Sequence, residues 1–176
     1  MNIIKKFVIV FFSGLALLFI ISLVLPSEYS IKREISLNCS NEQVYEYLSN
    51  INNVDKWFYI SKNLDSTLKY KFNIDSLNNK SSFSWNGDIL GNGKFYYTNF
   101  KISELIEYKI SYEDDKVVQN GKFLIENKTN KINLAWIEYG ENGFNPINRI
   151  FGLFIDSFLG PDMEKSLEKI KSNLGC

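Results

Sequence analysis

The hydrophobic positions of this chain follow three patterns in succession. Residues 7–25 form an apolar run without a charged residue. From Tyr29 to Leu37 apolar and polar residues alternate, which predicts a half-buried strand. After a stretch of helical spacing, a two-residue period returns at Thr67 and continues to Tyr139. These patterns predict one membrane-length helix followed by one domain built largely of strands.

The apolar run 7–25 is long enough to cross a membrane. At about 1.5 Å per residue, it approaches the roughly 30 Å of a bilayer's hydrocarbon core. We favour a retained anchor over a cleaved signal peptide, because residues 24–28 contain no small-x-small cleavage site. Lys5 and Lys6 favour a cytoplasmic amino terminus, although Lys32 and Arg33 weaken this bias. We therefore expect a cytoplasmic stub and single-pass helix over 1–27, with an extracytoplasmic domain over 28–176.

The alternating region predicts an antiparallel meander. Six strands are expected after the first, at Thr67–Asn73, Ser81–Trp85, Lys94–Phe100, Leu105–Tyr112, Gly121–Asn127 and Lys131–Tyr139. Turn signals separate them at 77–79, 91–93, 113–115 and 127–130, and connections this short join antiparallel neighbours.

Helices are predicted on either side of the meander. Ser40 and Gln43 form a capping box, so a helix should start there, break near 50–53 and resume as far as Trp57. Pro146 suits the first position of a carboxy-terminal helix. Gly160 and Pro161 should break or kink this helix. Its apolar stripe consists of Ile147, Ile150, Phe151, Phe154 and Phe158, then Met163, Leu167, Ile170 and Leu174.

Composition excludes several classes of function. The chain has no histidine, which argues against a metal site and against nucleophile–histidine hydrolases. Without Lys5 and Lys6, 18 basic and 20 acidic residues remain, so a nucleic-acid partner is not expected. No metal or other cofactor is predicted. An extracytoplasmic location would permit a disulfide between Cys39 and Cys176, but we expect two unpaired thiols.

The order of elements resembles the START-like superfamily, also called SRPBCC or helix-grip, and within it the polyketide cyclase/dehydrase-like branch. The resemblance rests on residues 31–37 leading to Val44 and Leu48, then on Trp57, and on four later segments at 83–85, 91–93, 134–140 and 160–170. Phe58 and Tyr59 depart from the Pro-Trp-like continuation that many relatives show. The resemblance implies an α+β fold in which a seven-stranded antiparallel sheet grips a long carboxy-terminal helix around an apolar cavity. It implies no catalytic residue.

Strand parity and this resemblance together predict a ligand site. The inward face should be aromatic, and the candidate ligand-binding residues are Arg33, Trp85, Tyr97, Tyr108, Phe123, Trp136, Glu138 and Phe154. Arg33 and Glu138 share the inward parity, so we expect them to form an ion pair across the first and last strands. This pair would keep Glu138 ionised.

Three functions remain open at this point. The favoured one is a membrane-anchored module that binds a hydrophobic small molecule or a lipid. A cyclase/dehydratase-like enzyme acting on an apolar substrate is the second. An interaction domain with a filled core and no ligand is the third.

Overall fold

The computed structural model describes residues 2–75, 81–113, 116–128 and 131–176. Within these ranges the elements are α1 (Ile3–Val24), β1 (Glu28–Leu37), α2 (Asn41–Ser49), α3 (Val54–Trp57), β2 (Lys69–Asn73), β3 (Ser82–Gly87), β4 (Gly91–Lys101), β5 (Leu105–Tyr112), β6 (Val117–Lys128), β7 (Lys131–Glu141), α4 (Pro146–Gly152) and α5 (Ile155–Leu174). The predicted turn at 77–79 lies outside the described residues, as do parts of those at 113–115 and 127–130.

The seven strands form one antiparallel sheet in the order β1-β7-β6-β5-β4-β3-β2. The predicted α+β class, the seven strands and the meander are confirmed. The predicted turn at 91–93 is wrong, because these residues already belong to β4 and the turn lies at 88–90. Strand parity places the alternating apolar residues on one concave face, which is buried against helices.

Helix α2 begins at the predicted capping box. Ser40 accepts a hydrogen bond from the Gln43 backbone, while the Gln43 side chain accepts one from the Ser40 backbone. A short 3₁₀ turn at Ile51–Asn53 then leads into α3. This connection crosses from one edge of the sheet, at β1, to the other edge, at β2. It thereby delivers Trp57 beneath the concave face.

The carboxy-terminal helix departs from prediction in the position of its break and in its first apolar stripe. Gly160 and Pro161 lie inside α5, and the helix breaks earlier, between α4 and α5 at Leu153–Phe154. Gly160 has a packing role instead, since a side chain there would collide with the guanidinium group of Arg33. The second stripe, with Met163, Leu167 and Ile170, is buried against the sheet as predicted. The first stripe is largely exposed.

Helix α1 contacts the domain only through its last turn. Ser22 is the one buried residue of this helix. Arg149 of α4 is buried and donates from Nη1 to the carbonyl oxygens of Ser22, Leu23 and Leu25, at 3.1–3.3 Å. A cation at a helix carboxyl terminus satisfies carbonyls that have no partner inside the helix and opposes the negative end of its dipole. Arg149 therefore fixes the end of α1 against α4.

The expectation of two unpaired thiols is wrong. Cys39 and Cys176 form a disulfide, with their Cα atoms 5.7 Å apart. Cys39 follows β1 and Cys176 follows α5, so the bond joins the edge of the sheet to the end of the helix that it holds. The two cysteines are 137 positions apart, a separation at which no sequence spacing predicts pairing.

Removing this disulfide should lower stability measurably. A crosslink that closes so long a loop restricts the unfolded chain strongly, so the double variant Cys39→Ser, Cys176→Ser should lose about 2–4 kcal/mol in its free energy of unfolding. Chemical denaturation of the detergent-solubilised chain measures this difference. An unchanged stability, together with alkylation of both thiols in the unreduced wild-type protein, would contradict the pairing.

Candidate functional site

Six of the eight predicted ligand-binding side chains lie together on the concave face of the sheet. They are fully or almost fully buried: Trp85, Tyr97, Tyr108, Phe123, Trp136 and Glu138. Tyr108 stacks on Phe95 with ring centroids 4.5 Å apart, and Phe123 lies 5.0 Å from Trp136. The structure brings these residues into one aromatic layer. That they bind a ligand stays a prediction.

Arg33 and Phe154 lie apart from this layer. The Arg33 side chain stands at the rim, where Nη1 contacts Asp156 at 2.8 Å and Nε contacts Glu164 at 2.7 Å. The predicted Arg33–Glu138 pair is wrong, because Arg33 is opposite Trp136 and Glu138 is opposite Ile31. The register is shifted by two residues from the one that the pairing required. Phe154 is 54% exposed.

The segment that follows α3 fills the space beneath the sheet. Trp57 meets Phe95, Phe123 and Trp136 edge to face, with centroids 5.4–6.1 Å apart. Tyr59 lies parallel to Trp136, 6.2 Å away. The resemblance implies an apolar cavity at this position, but here the chain's own buried rings fill it. Residues 58–60 belong to neither a helix nor a strand.

Glu138 is the centre of a buried polar cluster in this layer. The Tyr108 hydroxyl donates to its Oε1 at 2.9 Å, and the Gln119 side-chain nitrogen donates to its Oε2. The Trp136 indole N–H donates in turn to the Tyr108 hydroxyl. Gly121 faces Tyr108 across β5 and β6, and a side chain there would collide with the tyrosine ring. Because Gly121 has no side chain, the Tyr108 phenol has room to hydrogen-bond to Glu138.

The protonation of Glu138 differs from the sequence-based expectation. Burial raises the pKa of Glu138 to about 8, and the hydrogen bonds from Tyr108 and Gln119 oppose this effect only in part. Since no arginine lies beside it, the group is held as a neutral carboxylic acid near pH 7. The predicted ionised state is therefore wrong.

Tyrosines enclose this carboxyl group. Burial, followed by the charge of Glu138, raises the pKa of Tyr59 and of Tyr108 well above the usual value. The same two causes raise the pKa of Tyr29 to about 12. Tyr59 stabilises the carboxylate form of Glu138, yet its hydroxyl has no hydrogen bond of regular geometry to any described residue. These phenols stay protonated near neutral pH.

Sequence reasoning missed Gln119 and Tyr59 as members of this cluster. Gln119 lies in β6, which begins at Val117 rather than at the predicted Gly121, so it fell outside the predicted strand. Tyr59 lies in a loop, where strand parity assigns no direction. The run of aromatic residues at 57–59 was the available signal, because such a run is seldom left in water. Among the described residues, no three acidic or sulfur-containing side chains group as metal ligands would.

Comparison with known proteins rests on structure alone. No protein-family model matches the sequence, and no curated protein matches it significantly. A protein from Chromobacterium violaceum superimposes with a TM-score of 0.54 over 82% of this chain and 96% of its own, at 15% identity. For a protein from Arthrobacter aurescens the TM-score is 0.58, with 83% and 86% covered and 12% identity.

The di-domain ARO/CYC protein StfQ, from the steffimycin biosynthetic pathway, also matches. Its TM-score is 0.58 at 10% identity, over 82% of this chain and 50% of StfQ. These matches agree with the seven-stranded sheet and the long helix α5 packed on it. The chain has the helix-grip fold. A shared helix-grip fold at such low identity carries no activity from one protein to another.

The buried carboxyl group should give the helix-grip domain a distinctive pH dependence. Because the pKa of Glu138 is raised in the folded state from 4.5 to about 8, the folded state binds the proton more tightly than the unfolded state. The contribution of Glu138 to the free energy of unfolding is then fully present below pH 4.5. It falls as pH rises from 4.5 to about 8, by up to about 1.4 kcal/mol per pH unit. Glu138→Gln should remove this decline while keeping the shape of the side chain.

Urea unfolding of the detergent-solubilised chain at several pH values measures this effect. Glu126→Gln is the matched control, since Glu126 is exposed on β6, and this variant should keep the wild-type pH profile. Parallel stability curves for wild type and Glu138→Gln would show that Glu138 ionises normally.

Proposed function

We propose that this protein is a single-pass membrane protein whose helix-grip domain binds a lipid-like molecule beneath the sheet. Glu138 would hold the polar group of that molecule, and the aromatic layer would hold its apolar body. The observation that carries this proposal is a fully buried carboxyl group in the middle of an aromatic face, where burial raises its pKa to about 8. Sites for apolar ligands combine a large apolar lining with a few convergent polar groups.

Buried polar atoms without partners support a ligand at this place. Three of them belong to the concave face or to the segments packed against it, and none has a hydrogen bond to another described residue: Trp57 Nε1, Trp85 Nε1 and Ser166 Oγ. Most buried polar groups in folded proteins are hydrogen-bonded, so each exception needs an explanation. A bound molecule with a hydroxyl or carbonyl group would offer such a partner.

We expect residues 58–60 to move when a ligand binds. This segment lies between α3 and β2 without the hydrogen-bonding ladder of a strand. A depression of about 240 Å³ lies beside it, between residues 59–64 and α5, and both Tyr59 and Ser166 line it. Movement of Phe58 and Tyr59 toward solvent would join this depression to the aromatic layer and make room for a ligand.

The ligand's polar group should be uncharged. Arg33 is already bound by two carboxylates at the rim, and Glu138 offers a proton rather than a cation. A permanent anion would be left without a counter-charge in a low-dielectric interior, which is costly. An alcohol, ketone or amide on an apolar body fits the groups present.

Two further observations support a proposed location for the domain. Helix α1 is long and apolar enough to cross a membrane, and Lys5 and Lys6 favour an amino terminus in the cytoplasm. The disulfide between Cys39 and Cys176 favours an oxidising compartment for the domain. Both lead us to propose an extracytoplasmic domain.

A cyclase/dehydratase-like enzyme is the second candidate. One observation favours it: a carboxylic acid whose pKa is raised to about 8 is suited to donate and accept a proton near neutral pH. The structural likeness to the ARO/CYC protein StfQ agrees with this possibility at the level of the fold. In this case Glu138→Gln should abolish turnover of the bound molecule and leave binding largely intact.

A ligand should remain bound when the full chain is released gently from detergent. Native mass spectrometry should show a lipid-sized mass addition with one molecule per chain, and extraction should identify it. Glu138→Leu removes the polar anchor and should weaken the affinity about tenfold, the effect of losing one buried hydrogen bond, so the fraction of chains with a bound molecule should fall. Glu126→Leu, at an exposed position, is the control and should bind as the wild type does. A folded chain without any added mass would support the ligand-free interaction domain instead.

Thiol labelling in a denaturing lysate of the cells tests the proposed orientation, because the reagent then reaches the cysteines in every compartment. If the domain lies in an oxidising compartment, a polyethylene-glycol maleimide should add no mass to the wild-type chain until a reductant is applied. Two labels should then be added, one for each cysteine. Full labelling without a reductant would place the domain in the cytoplasm.

A further inference from the structure

The exposed apolar residues of α4 and the start of α5 form a surface of their own. We define the α4–α5 face as Phe144, Ile147, Phe151, Leu153, Phe154 and Phe158, each of which is more than half exposed. Phe151 and Phe158 stack on one another with their ring centroids 5.4 Å apart. An exposed patch of this composition is rare on a soluble protein and marks a site of contact with a protein partner, a ligand or a membrane.

The α4–α5 face lies beside the end of the membrane helix. Arg149, which binds the last carbonyls of α1, lies on α4 between Ile147 and Phe151. Only residues 25–27 separate α1 from β1, and the Asn142 backbone N–H donates to the Ser27 carbonyl at 2.7 Å. Three residues span at most about 10 Å, so the domain cannot stand far from the bilayer that α1 enters.

The charges of this region fit insertion into neutral lipid. Between Phe144 and Phe158 the charged residues are Arg149 and Asp156. Arg149 is buried against α1, and Asp156 is paired with Arg33. The face therefore presents apolar rings without a basic cluster, so anionic lipid headgroups would add little to its binding.

We infer that the α4–α5 face is a second membrane contact. It inserts into the interfacial region of the bilayer beside α1 and fixes the orientation of the domain. This inference rests on the proposed membrane anchor. It also assigns a role to the exposed stripe, because rings that would be unfavourable in water are favourable in lipid.

The loop at 58–68 leads to the start of β2, and the register places that end of the sheet on the side of Glu28 and α1. The proposed opening would then face the bilayer.

Spin labels on single introduced cysteines test the inference in the full chain. The chain is reconstituted into vesicles of neutral phosphatidylcholine, and collision rates with oxygen and with a water-soluble nickel complex report the depth of each label. Labels at Phe151→Cys and Phe154→Cys should lie in the apolar boundary. A label at Lys109→Cys, on the outer face of the sheet, should be in water. The native disulfide leaves Cys39 and Cys176 unreactive.

A label at Leu17→Cys, in the middle of α1, separates the possible failures. If it lies in the hydrocarbon while those at 151 and 154 are in water, the second contact is wrong and the anchor stands. If the label at Leu17 is also in water, the anchor itself is wrong. Shielding at 151 and 154 that is accompanied by spin–spin broadening would assign the face to a second copy of the chain and overturn the inference.

Discussion

Burial of the Glu138 side chain dictates the arrangement of its surroundings. A carboxyl group removed from water must have its oxygens hydrogen-bonded or be neutral, and here both conditions are met. Tyr108 reaches it only because Gly121 leaves space on the neighbouring strand. The Trp136 indole completes the network by donating to Tyr108. A polar group in the centre thus fixes the positions of the largest rings around it.

The same interior combines dense packing with polar atoms that lack partners. Trp57 and Tyr59 cover the concave face, but they come from a short helix and a loop rather than from the sheet. The sheet and α5 are joined by the disulfide at one end and by the Arg33 ion pairs along β1. The cover made by residues 58–60 is held at its ends by hydrogen bonds, from the Phe58 N–H to the Val54 carbonyl and from the Tyr70 hydroxyl to the Ile60 carbonyl. A frame joined by a disulfide and ion pairs, with a cover held by hydrogen bonds, agrees with the proposed binding of an apolar ligand.

The sheet could be predicted from the sequence because its signal is periodic. Leu105–Tyr112 was predicted with its observed bounds, and the inward direction of Glu138 followed from parity alone. The partner of Arg33 could not be predicted, since a register shift of two residues preserves parity while changing every neighbour. The first apolar stripe was also ambiguous. By spacing, Phe151 and Phe154 fit a buried helix face and an exposed one equally well, and only the fold shows that they are exposed.

The most direct test of this account is the titration of Glu138 itself. Carbon-13 NMR of the glutamate side-chain carboxyls, with Glu138→Gln to assign the resonance, reports its ionisation in the folded chain. We expect a midpoint near pH 8. A midpoint near the ordinary value of 4.5 would mean that the carboxyl group is ionised and solvated, and the neutral polar centre proposed for ligand binding would not exist.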